Sequence, residues 1–175
     1  MTTLREQTSE KHREAESQPF IQEIFNKQVT PTKYAEYLYQ LYLIYHTIED
    51  LAGPKFNVFD GIEGIKRSSV VFEDFTELAV PDRPYPTNHS TLKYINYLLD
   101  ITNPDDLIAH MYVRYLGDLN GGQIFATLVP GSGKMFEFNN KEELLTNFTS
   151  KLKEEMGPEA CVAFDYNIEI AKEFN

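Results

Sequence analysis

Residues 114–125 read RYLGDLNGGQIF, which places Gly117, Gly121 and Gly122 in a stretch whose neighbours have helical spacing. Glycine inside a helix costs about 1 kcal/mol relative to alanine, so three of them within about one and a half turns require a reason. Two readings compete. Gly117 can end a helix in a left-handed cap, with Asn120-Gly121-Gly122 as a loop. Alternatively, because QIFATLV resumes helical spacing at once, one helix is kinked at its glycines over a flat ligand that needs close approach to bare backbone. Asp118 lies between the glycines, placed either to organise water beside the bound molecule or to cap the resuming helix.

Working upstream, Asn103 followed by Pro104, Asp105 and Asp106 opens the helix that runs into the glycines, with Leu107, Ile108, Met111, Tyr112 and Tyr115 on it. The strongest periodicity is Tyr34, Tyr37, Leu38, Leu41, Tyr42, Tyr45, Ile48 and Leu51, an amphipathic stripe started by Thr30 and Pro31 and stopped by Gly53-Pro54. Its tyrosines read as core packing with phenol tips at water. Asn140 with Glu143 resembles a capping box before Leu144, Leu145, Phe148 and Leu152, and Gly157-Pro158 precedes a last helix ending at Asn175. Residues 3–16, 19–26 and 90–99 give shorter helices, 70–78 another, while VPDRPYPTN is an extended connector that its prolines keep out of helix and sheet. No hairpin signal occurs between alternating apolar runs. The expected fold is all-α, with residues 1–175 as one domain.

Composition narrows the function. A chain of 175 residues, 42% hydrophobic and 13% aromatic, can build a true core, and no apolar run approaches the ~20 residues that cross a bilayer. The stretch MTTLREQTSEKH lacks the order of a signal peptide, and Cys161 is alone, so a soluble, cytoplasmic protein is expected. A net charge of −11 argues against a nucleic-acid surface, and any anionic ligand has to be met by a few local cations.

The histidines are His12, His46, His89 and His110. A lone histidine is more often satisfied or solvated than a metal ligand. His12, however, shares the least polar face of the first helix with Leu4, Thr8 and Ala15. His110 shares a stripe with Arg114 and Gly117 but stands about 10 Å from Gly117 along the axis, which puts it near the rim of a ligand beneath the glycines. A ligating residue on the ligand's opposite face must come from another helix, which favours His12.

Two segments, LREQTSEKHREAE at 4–16 and AHMYVRYLGDLNGGQ at 109–123, are similar to the signature segments of haem oxygenases, and the helical order between them matches that family. The resemblance implies a single-domain haem-oxygenase-like bundle, in which haem b is both prosthetic group and substrate. With O2 and external electrons the ring is opened to biliverdin, in the IXα form, with carbon monoxide and ferrous iron. It implies further that His12 is the proximal iron ligand, that Glu16 supports its ring directly or through water, and that Gly117 and Gly121 lie over the distal face. Asp118 is implied to order distal water, with Arg114 and Tyr45 joining that network. For the haem propionates, Arg5 stands where relatives commonly carry Lys, while Tyr112 and Lys153 match propionate-contacting positions. Thr149 departs from a commonly basic position and leaves fewer cations there, unless Lys151 substitutes, and Asn120 replaces a frequent serine.

Three other readings are open on the residues alone. His46 with Glu49, and Asp106 with His110, have spacings that a diiron carboxylate protein uses, though few further carboxylates converge. A non-catalytic haem carrier would use the same pocket without needing Asp118, and a helical interaction module would need no cofactor. The tripeptide GGQ at 121–123 also matches the peptide-release motif of translation termination factors, in an unsuitable acidic and helical context. Nothing resembles a flavin or iron–sulfur site, so electrons are expected from outside; the haem oxygenase resemblance implies a ferredoxin as their donor, docked on Lys11, Arg13, Lys151 and Lys153, and a bilin reductase downstream. A monomer is the simplest assembly.

Overall fold

The computed structural model describes residues 2–175 and contains helices and no strand among them. Eight α-helices run in the order α1 (Leu4–Glu16), α2 (Pro19–Phe25), α3 (Pro31–Asp50), α4 (Ser68–Leu78), α5 (His89–Leu99), α6 (Pro104–Leu128), α7 (Lys141–Thr149) and α8 (Gly157–Lys172). The caps explain the better-defined starts. Thr3 and Glu6 close a reciprocal capping box on α1, Thr30 accepts from the Lys33 amide with Pro31 beginning α3, and Asn103 accepts from the Asp105 amide with Pro104 beginning α6.

Helices α3, α6 and α8 carry most of the core. Leu38, Ile44, Tyr45 and Ile48 of α3 pack with Leu107, Met111 and Tyr115 of α6 and with Ala160 and Ala163 of α8, all wholly or nearly buried. Helix α6 buries residues on most of its circumference, as a helix surrounded by others must. Helices α4 and α5 cover α3, while α1 and α6 both lean on α8. Because α1 and α6 share that support without packing extensively on each other, a space is left between them.

Three boundaries differ from the expected ones. The chain does not stop at Gly53-Pro54; α3 passes into a wider π turn over Leu51–Lys55 that contains both residues. Asn140 makes no side-chain cap, because it sits at φ 52° in the left-handed region, which turns its side chain away from the first amides of α7. Helix α6 is unbroken for 25 residues, so Gly117 ends nothing and Asn120-Gly121-Gly122 is no loop.

Candidate functional site

None of the three glycines of α6 has a positive φ, so what each contributes is the absence of a side chain. Their surroundings separate them. A Cβ built on Gly122 would lie 3.2 Å from Phe136 Cβ, so this glycine lets the short helical turn Lys134–Phe136 pack against α6. A Cβ on Gly121 would touch only the Phe125 ring, at 3.5 Å. A Cβ on Gly117 would meet nothing within 4 Å. Gly117 faces open space, and that space is a cleft of about 870 Å3 walled by α1 and α6 and floored by α3 and α8. Clefts that hold small molecules span roughly 300–1,000 Å3.

His12 lines the α1 wall of this cleft, with its side chain 57% exposed. Its ring packs edge-on against Phe164 of α8, 5.9 Å between centroids, which orients it from below. The nearest carboxylate oxygen, on Glu16, is 3.6 Å from Nε2, longer than a hydrogen bond, so support from Glu16 requires a bridging water. The imidazole is thus a nitrogen donor on a cavity wall with no protein hydrogen bond of its own.

On the α6 wall, Asp118 accepts a hydrogen bond at Oδ2 from the buried Tyr45 phenol of α3. Burial pushes its carboxyl up to about 6, against the opposing pull of the Tyr45 hydrogen bond and of the Arg114 and Arg67 charges. Burial, with the charge of Asp118 beside it, also raises the Tyr45 phenol well above its ordinary range, so Tyr45 stays protonated and donates. Arg114 bonds Asn167 of α8 through Nη2, lies 5.9 Å from the Tyr45 ring, and keeps a buried Nε–H with no partner. An orphaned donor of this kind in a cleft wall calls for water or ligand.

Arg5, Glu16, Tyr112, Gly121 and Asn120 also line the cleft. Three arginines against two carboxylates face it, a local excess of positive charge in a chain whose net charge is −11. Lys153 is not in the wall: its ammonium lies 2.6 Å from Asp105 Oδ2 at the start of α6. Lys11 is likewise tied, 2.6 Å from Asp165, so two of the four cations expected to form a basic docking face are already paired. Thr149 is exposed at the end of α7.

His110 is not at the rim. It is fully buried, with Nδ1 2.7 Å from the Tyr94 hydroxyl of α5 and Nε2 2.8 Å from Glu159 of α8, and it belongs to the core. The diiron spacings also dissolve. Glu49 accepts from Ser68 and from Tyr115, capping α4, while His46 lies exposed beside Asp50, and no cluster of three metal-ligating side chains exists among the described residues.

Sequence reasoning missed Asn167 and the role of Tyr34 and Tyr37, which floor the cleft instead of tipping their phenols into bulk water. Asn167 had a signal: it lies at helical spacing between the buried Phe164 and Ala171, a polar side chain on an apolar stripe.

A family model described as "Heme oxygenase" matches residues 1–173. The heme oxygenase of Rhodella violacea is 29% identical, covering 98% of this chain and 85% of its own, and that of Porphyra purpurea is 26% identical with the same coverage. The solved heme oxygenase of Leptospira interrogans superposes with a TM-score of 0.84 at 28% identity over 97% of both chains. Heme oxygenase-1 of the cyanobacterium Synechocystis, solved in complex with heme, gives a TM-score of 0.85 at 22% identity over 97% of this chain and 89% of that one.

Proposed function

Because the chain belongs to the haem oxygenase family, we propose that its cleft takes haem and that the protein opens it oxidatively to biliverdin. What supports the reading most is a pairing across one cavity: a free imidazole on α1 and, on α6, a glycine whose missing Cβ leaves the wall bare. The volume, the local positive charge and the unsatisfied Arg114 Nε–H fit a large anionic ligand with associated water. When bound, haem supplies the redox chemistry and is itself consumed, with O2 and electrons from outside giving biliverdin, carbon monoxide and ferrous iron.

His12 is the iron ligand in this reading. The metal-binding form of histidine is the neutral imidazole, and Phe164 holds the ring facing the cleft, while Glu16 supports it through water. Gly117 and Gly121 keep the opposite face clear of side chains. Asp118 holds water over that face: Tyr45 occupies Oδ2, which leaves Oδ1 to accept from solvent in the cleft. With its carboxyl near 6, Asp118 exchanges a proton with that water close to neutral pH. Arg114, braced by Asn167, offers its free Nε–H to the same water. Arg5 and Tyr112 bind the ligand's carboxylates. Lys153 joins them only by giving up Asp105. The electron donor in this proposal is a ferredoxin, which meets the protein at the cations that remain unpaired near the cleft.

Adding hemin to the purified protein tests the assignment. A histidine-type Soret band is expected in the wild type and lost in His12→Ala. Asp118→Ala is expected to keep the band and fail to form bilin when a reductant is supplied. A wild type without the band would end the reading, and normal bilin yield from Asp118→Ala would remove that residue from its role.

A further inference from the structure

We propose that Arg67 and Asp74 are positioning residues: two buried charges of α4 that hold the segment Lys134–Glu137 as a rigid apolar wall of the cleft, so that the wall selects which way round the macrocycle is seated. The inference rests on the haem reading above and adds to it what makes the seating unique.

Among the described residues Arg67 and Asp74 are the only Arg, Lys, Asp or Glu side chains that are buried, at 7% and 3% exposure. Each is satisfied by main chain alone. Arg67 donates to the carbonyls of Gly64 (3.2 Å), Lys66 (2.7 Å), Met135 (3.1 Å) and Glu137 (2.7 Å), and its guanidinium lies over the Phe138 ring, 3.9 Å from the centroid. Asp74 accepts from the Lys134 amide at Oδ1 and from the Met135 amide at Oδ2, both at 2.9 Å. The two side chains stand about two turns apart, at the start and in the middle of α4. One takes the carbonyls and the other the amides of the same short segment, so its path is fixed twice over. Buried charges stabilise less than apolar side chains of similar volume, and what this pair supplies is a single arrangement of the main chain it holds.

That segment faces the ligand. Met135 and Phe136 line the cleft, Phe136 stacks on Phe125 at 5.8 Å between centroids, and Phe125 meets Phe25 of α2 at 5.2 Å. Phe125 lies about 20 Å beyond Tyr112 along α6, so this wall meets the edge of the macrocycle remote from its carboxylates. Haem carries methyl and vinyl groups there. Turning it over about the axis that runs between its two carboxylates and through the iron leaves both in place and exchanges methyl for vinyl on that remote edge. A difference of about one carbon is discriminated roughly ten- to two-hundredfold by a wall that cannot yield, and hardly at all by one that can.

Proton NMR of the hemin complexes tests this, because each seating gives its own set of macrocycle methyl signals. The wild type is expected to show one dominant set. Arg67→Lys, which keeps the charge without the fork, and Asp74→Asn, which keeps the shape with one acceptor fewer, are each expected to lower the ratio of dominant to minor seating about tenfold while still binding hemin through His12. If one variant does not fold, the other decides. Glu159→Ala, weakened at a different junction, should keep the wild-type ratio. An unchanged ratio in the α4 variants would overturn the proposal; so would an equal fall in Glu159→Ala, which would make lost stability the cause, or a wild type divided evenly between two seatings. A wild type that gives no histidine-type band would remove the haem premise and this proposal with it, a result distinct from the others.

Discussion

Asp118 is held where its charge is disfavoured. Its carboxyl has an ordinary value of 3.8 and stands at about 6 in the fold, so the folded protein binds this proton more tightly than the unfolded chain does. The stability contributed by the protonated form is therefore full below about pH 4 and is lost as pH rises through 6. Asp118→Asn removes that loss, and it should stabilise the ligand-free protein by about 1–2 kcal/mol at pH 8, with the gain roughly halved at pH 5. Urea unfolding at the two pH values checks this; a destabilised variant at pH 8 would contradict it. The placement of Asp118 between glycines was legible in RYLGDLNGGQIF, whereas its partner Tyr45 came only through the family resemblance, since nothing local relates residues 45 and 118. The same distance hid the fate of His110. Its two partners arrive from α5 and α8, and only the packed fold shows that both ring nitrogens are taken.

At the scale of the element, the glycines of α6 make opposite predictions. Gly117→Ala adds a methyl to open space and should stabilise the helix by about 0.5–1 kcal/mol while weakening hemin binding. Gly122→Ala presses a methyl onto Phe136 and should forfeit that gain or reverse it. Paired thermal melts distinguish the two, and equal shifts would show that the packing against Lys134–Phe136 is unimportant. Helix starts were readable wherever the cap is local, as at Thr30-Pro31 and Asn103-Pro104. They were misread at Asn140, where the sequence pattern of a capping box is present and the backbone conformation forbids it. Gly157 is a related case. It opens α8 as the sequence suggested, and it also leaves room for the Gln7 side-chain amide of α1, whose tip a Cβ there would displace. Nothing local in the sequence relates residues 7 and 157.

Across the molecule, the all-helical architecture followed from periodicity, because stripes such as Tyr34 to Leu51 have one packing solution each and prolines separate them. Periodicity did not show the cleft, an absence between α1 and α6 created by their shared support on α8; the glycines, His12 and the family resemblance pointed to a space there. That support includes the buried Tyr94 and His110 with the half-buried Tyr97 and Glu159, where Glu159 accepts from both His110 and Tyr97 and its carboxyl is held below the usual range by the His110 hydrogen bond. Glu159→Ala should therefore cost about 2–3 kcal/mol by leaving a buried imidazole and a phenol unpaired, measured by denaturant unfolding of the ligand-free protein. Loss below about 0.5 kcal/mol would show that α5, α6 and α8 do not depend on this junction. The central claim concerns the cleft itself, and a crystal structure of the protein with hemin tests it most directly. The account predicts iron bonded to a His12 ring nitrogen with the main chain at Gly117 over the other face. Iron held by any other side chain, or a macrocycle lying outside the space between α1 and α6, would contradict it.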